Sequence, residues 1–243
     1  REHLPGRVFD ALDRFQYDNS TVKVDWALDG PIPWEADAAR RAGTVHLAHD
    51  MEHFVTASSD MIRGRIPARP TLVLGQMGVA DPTRSPPGTE TAWAYTHVPQ
   101  KVRADAGGDL KGVWDLAEAD AYADRIEAEI EHLAPGFRAL VRGRYVATPP
   151  IFEASNANLV GGAVNGGTAQ LHQQLIFRPV PGLARAETPV RRLYLGSASA
   201  HPGGGVHGAC GSNAARAALA WDRLQRARIL AAGAAGRVAR RSR

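Results

Sequence analysis

The chain holds 243 residues, 44% of them hydrophobic, enough to bury one large core or two smaller ones, which excludes a disordered polymer. Its net charge of +4 is carried by one end: residues 223–243 contain seven of the 29 basic residues and no acid, leaving 22 basic against 25 acidic groups elsewhere. A mildly acidic body offers no broad phosphate-binding face, so nucleic acid is excluded as a partner.

In chain order, the first clear element is TVKVDWAL. It alternates Val22, Val24, Trp26 and Leu28 against Thr21, Lys23 and Asp25, the pattern of a half-buried strand. Gly30, Pro31 and Pro33 cannot continue its ladder. TVHLAH follows as a short strand and DMEHFVTASSDMI as a helix, with an expected inward stripe of Met51, Phe54, Val55, Ser58, Met61 and Ile62; Gly64 and Pro67 stop it. TLVLGQM and TAWAYTHV, joined through SPPG, form neighbouring antiparallel strands. Asp115 and Glu118 make a capping box for a second helix that buries Ala119, Tyr122, Ile126, Ile130 and Leu133 and ends at Pro135 and Gly136.

Residues 148–168 are rich in Pro, Asn and Gly, a loop region and the junction to a terminal unit. There RRLYLGS is strand-like and the stretch from Ser212 helix-like. The fold class is therefore α/β in the α+β sense, a mixed and largely antiparallel sheet with helices plus a terminal strand, loop and helix. Residues 1–160 form one domain, 161–232 the terminal unit, and 233–243 a basic tail, either a frayed, disordered end or an electrostatic anchor to acidic lipid or a partner. No apolar run reaches the length of a membrane span and no signal peptide opens the chain, which reads as soluble and cytoplasmic. A start at Arg1 without methionine suggests a processed or truncated chain, or one part of something larger.

Several clusters invite chemistry and give way to plainer readings. His46, His49 and His53 lack an HExxH or CxxC context, so no metal is expected. No G-x-S-x-G supplies a nucleophile elbow. Glu127, Glu129 and Glu131 read as a solvated helix face. GGAVNGGTAQLHQQLIFRP places Gly161, Gly162, Gly166 and Gly167 before a helix-like run with His172; it is either a flexible loop or a backbone that approaches a flat ligand.

LYLGSASAHPGGGVHGACGSNAARAAL carries the strongest signal. Gly203, Gly205 and Gly208 satisfy G-x-G-x-x-G ahead of a helix with Ala214, Ala218, Trp221 and Leu224 on one face and Arg216 and Arg223 on the other. The amino end of that helix has unpaired N–H donors and suits an anionic group. A dinucleotide fold would continue into a second parallel strand ending in an acid, and no β-branched run follows Asp222. The single cysteine, Cys210, excludes an intrachain disulfide and reads as a small buried side chain at the helix start.

That stretch resembles the carboxy-terminal signature of the phytoene-desaturase-like FAD-dependent oxidoreductases. The similarity extends through LVGG, QQLIFRPVPG and TPVRRLYL and back to YDNSTVKVDWALDGPIPW, so the whole chain is similar to the second half of such a protein. The resemblance implies that residues 1–160 bind substrate and that the terminal segment closes over FAD in a Rossmann-like domain. An amino-terminal FAD-binding half, in the same native chain or as a subunit, would be the partner. By position Ser197, Gly203, Gly204, Gly205, Val206, His207 and Gly208 would line the cofactor, with Gly162 and His172 on the substrate side. The implied chemistry is hydride transfer between flavin and a carbon–carbon bond of a lipophilic, isoprenoid or carotenoid-like substrate, with peripheral membrane contact left open. His172, His201 and His207 are positional rather than catalytic. Ala200 stands where the family has threonine, which removes a hydroxyl. A non-catalytic module that keeps the fold is the alternative, and a nicotinamide dehydrogenase lacks its second strand.

Overall fold

The computed structural model describes residues 4–241, and of residues 230 and 233–241 the backbone alone. The elements in order are α1 (Gly6–Asp13), β1 (Ser20–Leu28), α2 (Asp37–Arg40), β2 (Thr44–Leu47), α3 (Met51–Ile62), β3 (Arg65–Ile66) and β4 (Leu72–Gln76). They continue with β5 (Glu90–Val98), β6 (Ala104–Asp105), α4 (Leu116–Leu133), α5 (Phe137–Leu140), β7 (Val141–Ala147), α6 (Pro149–Ser155) and α7 (Ala209–Arg241). Two compact units result, one from 19–164 and one from 1–18 with 165–243. The first residues thus do not belong to the sheet unit expected over 1–160: Val8 of α1 packs with Val180 and Leu183 in the terminal unit. The basic tail over 233–243 falls where no side chain is described.

In the unit spanning 19–164, five strands run antiparallel in the order β2-β4-β5-β1-β7. The alternation of β1 is realised: Val22, Val24, Trp26 and Leu28 are buried, and β1 pairs β5 from Ser20 opposite Val98 to Leu28 opposite Glu90. Helix α4 lays Ala119, Tyr122, Ile126 and Ile130 into the same core, with Leu133 half-buried at its edge. Half of its capping box forms: Asp115 accepts from the Glu118 N–H at 2.9 Å, while the Glu118 carboxylate accepts from the Lys111 and Trp114 N–H groups rather than from that of Asp115.

Two expectations for this unit need correction. Helix α3 buries His53, Ala57 and Asp60 and exposes Met51, Val55 and Ile62. Polar anchors set its rotation: His53 Nδ1 accepts from the His49 N–H and Nε2 donates to the Arg69 carbonyl, while Asp60 pairs with Arg65. Nor do Glu127 and Glu129 belong to a solvated face. The β1/β7 register sets Trp26 opposite Arg144, and both donate to buried Glu127, at 2.9 and 3.0 Å; a buried carboxylate persists only with such partners. Glu129 is shared by His49 and Arg69, and Glu131 accepts from the Gly136 and Arg138 N–H groups.

On the opposite sheet face Gly75 sits across from Trp93, whose indole fills the room a Cβ at Gly75 would take. Trp93, Tyr95 and His97, two residues apart on β5, continue as a half-exposed aromatic row. Deeper, the fully enclosed Asp105 carboxylate takes two donors from Arg125 at 2.7 and 2.8 Å. Burial opposes its charge, but Arg125 and the Gly107 and Leu110 N–H groups outweigh burial and hold the carboxyl below the ordinary range.

A carboxylate with a depressed native pKa contributes stability above its unfolded pKa, about 4, that is lost as pH falls through the native value. Asp105→Asn should therefore lower unfolding stability by about 3–5 kcal/mol at pH 7. Urea denaturation should show the gap from the parent chain shrinking as pH falls below that range; a gap independent of pH would refute the ion-pair account.

Candidate functional site

The glycine-rich segment gathers around the start of α7. Ser197, Gly203, Gly204, Gly205, His207 and Gly208 line one cavity of about 140 Å³, together with Gly196, Ala198 and Ala209–Gly211 at the helix start. Val206 is fully exposed and does not line it. The wall is almost all backbone, so a flat ligand can approach the peptide plane. Gly203 and Gly205 hold φ of 108° and 152°, a region that favours glycine.

The helix end has donors to give. His207 Nδ1 accepts the Ala209 N–H at 2.9 Å and so caps α7. That role fixes the neutral ring's proton on Nε2, which leaves His207 a donor. Ser212 N–H goes to the Gly208 carbonyl. Among the described residues the N–H groups of Cys210 and Gly211 find no acceptor, and they sit at the positive end of a 33-residue helix. Two free donors, a donor imidazole and a glycine wall fit the carbonyl edge of a flavin or another planar anion. Ser197 accepts from the Ser199 N–H at 3.2 Å, and the Cys210 thiol donates to the Gly203 carbonyl at 3.2 Å.

Beneath this loop lies a residue that sequence reasoning missed. Arg178, 1% exposed, donates through Nε to the Ala198 carbonyl at 2.9 Å and through Nη1 to Thr168 at 3.1 Å. Its Nη2 reaches Asn165 and Gly166 at 3.1 and 3.3 Å. Its one signal in the amino acids is its place in QQLIFRPVPG. Gly166 and Gly167 are glycines for cause: a Cβ at Gly166 would stand 2.8 Å from Ser199 Oγ and 2.9 Å from its backbone nitrogen, and one at Gly167 2.4 Å from the Phe15 ring.

The two remaining predicted residues fall elsewhere. Gly162 belongs to the sheet unit, where φ is 77° and a Cβ would meet Pro149 Cα at 2.5 Å, a packing constraint at the start of α6. His172 bonds Gln16 at 3.1 Å in the terminal unit, and His201 Nδ1 lies 3.0 Å from the Leu175 carbonyl. The helix expected around His172 is two single turns, broken where Leu175 takes φ of 53°. RRLYLGS makes a single bridge, Tyr194 to Glu187, because Arg192 at φ 66° interrupts the extended run. On α7 the half-buried stripe includes Ala214, Ala218 and Trp221 as expected, with Leu224 exposed. Ala200 is buried and lies outside the cavity wall, so the hydroxyl it lacks is missing from the interior.

In the terminal unit a second, larger cavity of about 430 Å³ is walled by apolar groups that include Val8, Leu12, Phe15, Leu183, Leu193 and Leu195. In the sheet unit His49, His53 and Glu129 bring ligand-type atoms within 4.8 Å of one another. Both His53 nitrogens and the Glu129 carboxylate are already engaged by protein groups, so the cluster ties α3 to α4. Among the described residues no helix is long and apolar enough to cross a membrane.

No protein-family model matches the chain. It is 32% identical over 225 residues to the pyridine nucleotide-disulfide oxidoreductase domain-containing protein 2 of Mus musculus, 88% of this chain and 38% of that one. It is 34% identical over 148 residues to a lycopene-forming phytoene desaturase of a Paracoccus species, 60% of this chain and 27% of that one. It is also 29% identical over 173 residues to one of the limonene dehydrogenase subunits of Castellaniella defragrans, 70% of this chain and 27% of that one. The chain therefore spans well under half the length of these relatives, and the matched region is their carboxy-terminal part.

The packing of the two loops at Gly166 is testable by stability alone. Gly166→Ala should cost about 1–2 kcal/mol for the left-handed backbone and more for the clash with Ser199. Gly182→Ala, at φ 86° with open space around it, should cost only the first part. Equal losses in urea unfolding would show that the two loops do not pack at Gly166.

Proposed function

Related by sequence to the carboxy-terminal part of the phytoene-desaturase-like oxidoreductases, the chain, we propose, supplies the substrate sheet and the flavin-side closing segment of an FAD-dependent oxidoreductase. Its reaction is hydride transfer between flavin and a carbon–carbon bond of a lipophilic substrate of the isoprenoid class. The observation that carries this reading is the convergence of Ser197, the Gly203–Gly205 loop, His207 and the free α7 donors on one cavity.

A bound flavin supplies the two-electron chemistry. The chain's own residues bind and orient. The Cys210 and Gly211 N–H groups offer hydrogen bonds to an electron-rich carbonyl edge. His207 keeps its proton on Nε2 and its Nδ1 on the helix, and the glycine wall admits a ring without a side chain intervening. The aromatic row of Trp93, Tyr95 and His97 and the apolar lining of the larger cavity suit a hydrocarbon rather than a charged metabolite. The names of two relatives, a phytoene desaturase and a limonene dehydrogenase, agree with a terpenoid substrate.

The remainder of such an enzyme, on the same polypeptide or on a partner subunit, would hold the ADP portion of the cofactor. FAD titration of this chain alone should give weak binding, and addition of a polypeptide carrying the amino-terminal part of the relatives should restore one bound flavin per complex with a structured visible spectrum. Tight stoichiometric binding by the chain alone, or none by the complex, would overturn the reading.

A further inference from the structure

Arg178 differs from the partly buried arginines of the sheet unit. Arg125 sits on Asp105, and Arg144 on Asp120, Asp124 and Glu127. Arg178 has no carboxylate in contact among the described residues; four hydrogen bonds from its guanidinium go to neutral carbonyls of residues 165, 166, 168 and 198. Nearby Asp18 is turned to the Asn165 amide. Burial pushes the guanidinium below its ordinary pKa, opposed by the more distant Cys210 and Asp18, and arginine stays charged even so. Carbonyl dipoles soften the cost of burying such a cation, and an anion nearby offsets it far better.

Its position says where that anion belongs. A Cβ at Gly203 would stand 3.2 Å from Arg178 Nε, and Ala198, whose carbonyl Nε binds, is part of the cavity wall. The charge therefore lies one layer of backbone below the wall of the glycine-lined cavity. Glycine at 203 keeps that layer thin. The α7 donors add positive potential at the same place.

We propose that Arg178 is the fixed countercharge of this cavity, a positioning residue that stabilises negative charge on the pyrimidine edge of a flavin bound there while its four hydrogen bonds hold the loops in place. The proposal rests on the flavin reading above and adds to it a residue that touches no ligand yet sets how readily the ring accepts charge.

Sulfite tests it, because sulfite adds reversibly to an oxidised flavin and leaves the ring negatively charged, with no substrate or turnover required. The flavin-loaded complex would be titrated with sulfite and followed by bleaching of the visible band, with the parent chain and with Arg178→Lys, Arg178→Gln and Arg178→Met. Lysine keeps the charge and loses the fork, while glutamine keeps hydrogen bonds and loses the charge. Loss of the charge should raise the sulfite dissociation constant about tenfold or more, about 1.4 kcal/mol, and lower the flavin reduction potential, with lysine near the parent. Equal sulfite affinity in lysine and glutamine variants would assign Arg178 a structural role and overturn the proposal. So would a loss confined to FAD affinity, which would place the charge near the pyrophosphate. If Arg178→Met does not fold, the lysine and glutamine pair decides alone. Failure of the parent complex to take up flavin would instead count against the flavin reading itself, a separate outcome.

Discussion

Four carbonyl oxygens from two separate loops converge on one guanidinium, and the terminal unit depends on that convergence. Residues 165–168 and 196–205 contain neither a long helix nor a paired strand, so no ladder of backbone bonds fixes their spacing. Arg178 supplies the fixed point: a planar fork imposes distance and direction on each carbonyl at once. The glycines at 166 and 203 are the complement of this device, since a Cβ at the first would press on Ser199 and one at the second on Arg178 itself. The cavity is thus shaped by a cation and by absent Cβ atoms more than by packed hydrophobic groups.

The sheet unit solves a similar problem with ordinary means. Its strands pair in sequence-distant order, and its core is aliphatic and aromatic. Polar groups enter that core chiefly as completed sets: Trp26 with Glu127 and Arg144, Trp34 with Gln76 at 2.9 Å, and Asp105 with Arg125. Each set joins elements far apart in sequence, so the same bonds that satisfy buried donors also select the register and the helix placement.

Much of this was legible in the amino acids. Alternation over 21–28 gave β1 and its faces, the strand-like run over 91–98 gave its neighbour in the sheet, and the Asp115 and Glu118 pair marked the start of α4, because these are local rules that act over two to four residues. The glycine fingerprint pointed to the segment that lines the cavity for the same reason. What escaped was decided at long range. Helix α3 turned its apolar residues outward because His53 and Asp60 had partners at positions no periodicity reveals. Glu127 was buried by an indole 101 residues away. Left-handed Leu175 and Arg192 broke a helix and a strand that their neighbours' propensities favoured. Arg178 looked like one basic residue among many, since nothing local distinguishes a buried arginine from a solvated one.

The pairing of Gly75 with Trp93 binds two codons together. Any side chain larger than hydrogen on β4 evicts the indole from the strand opposite, and any smaller residue on β5 leaves a bare groove along the sheet. Neither position can drift by itself, so lineages that altered one would have had to alter both and, with them, the topography presented to whatever molecule rests on that surface.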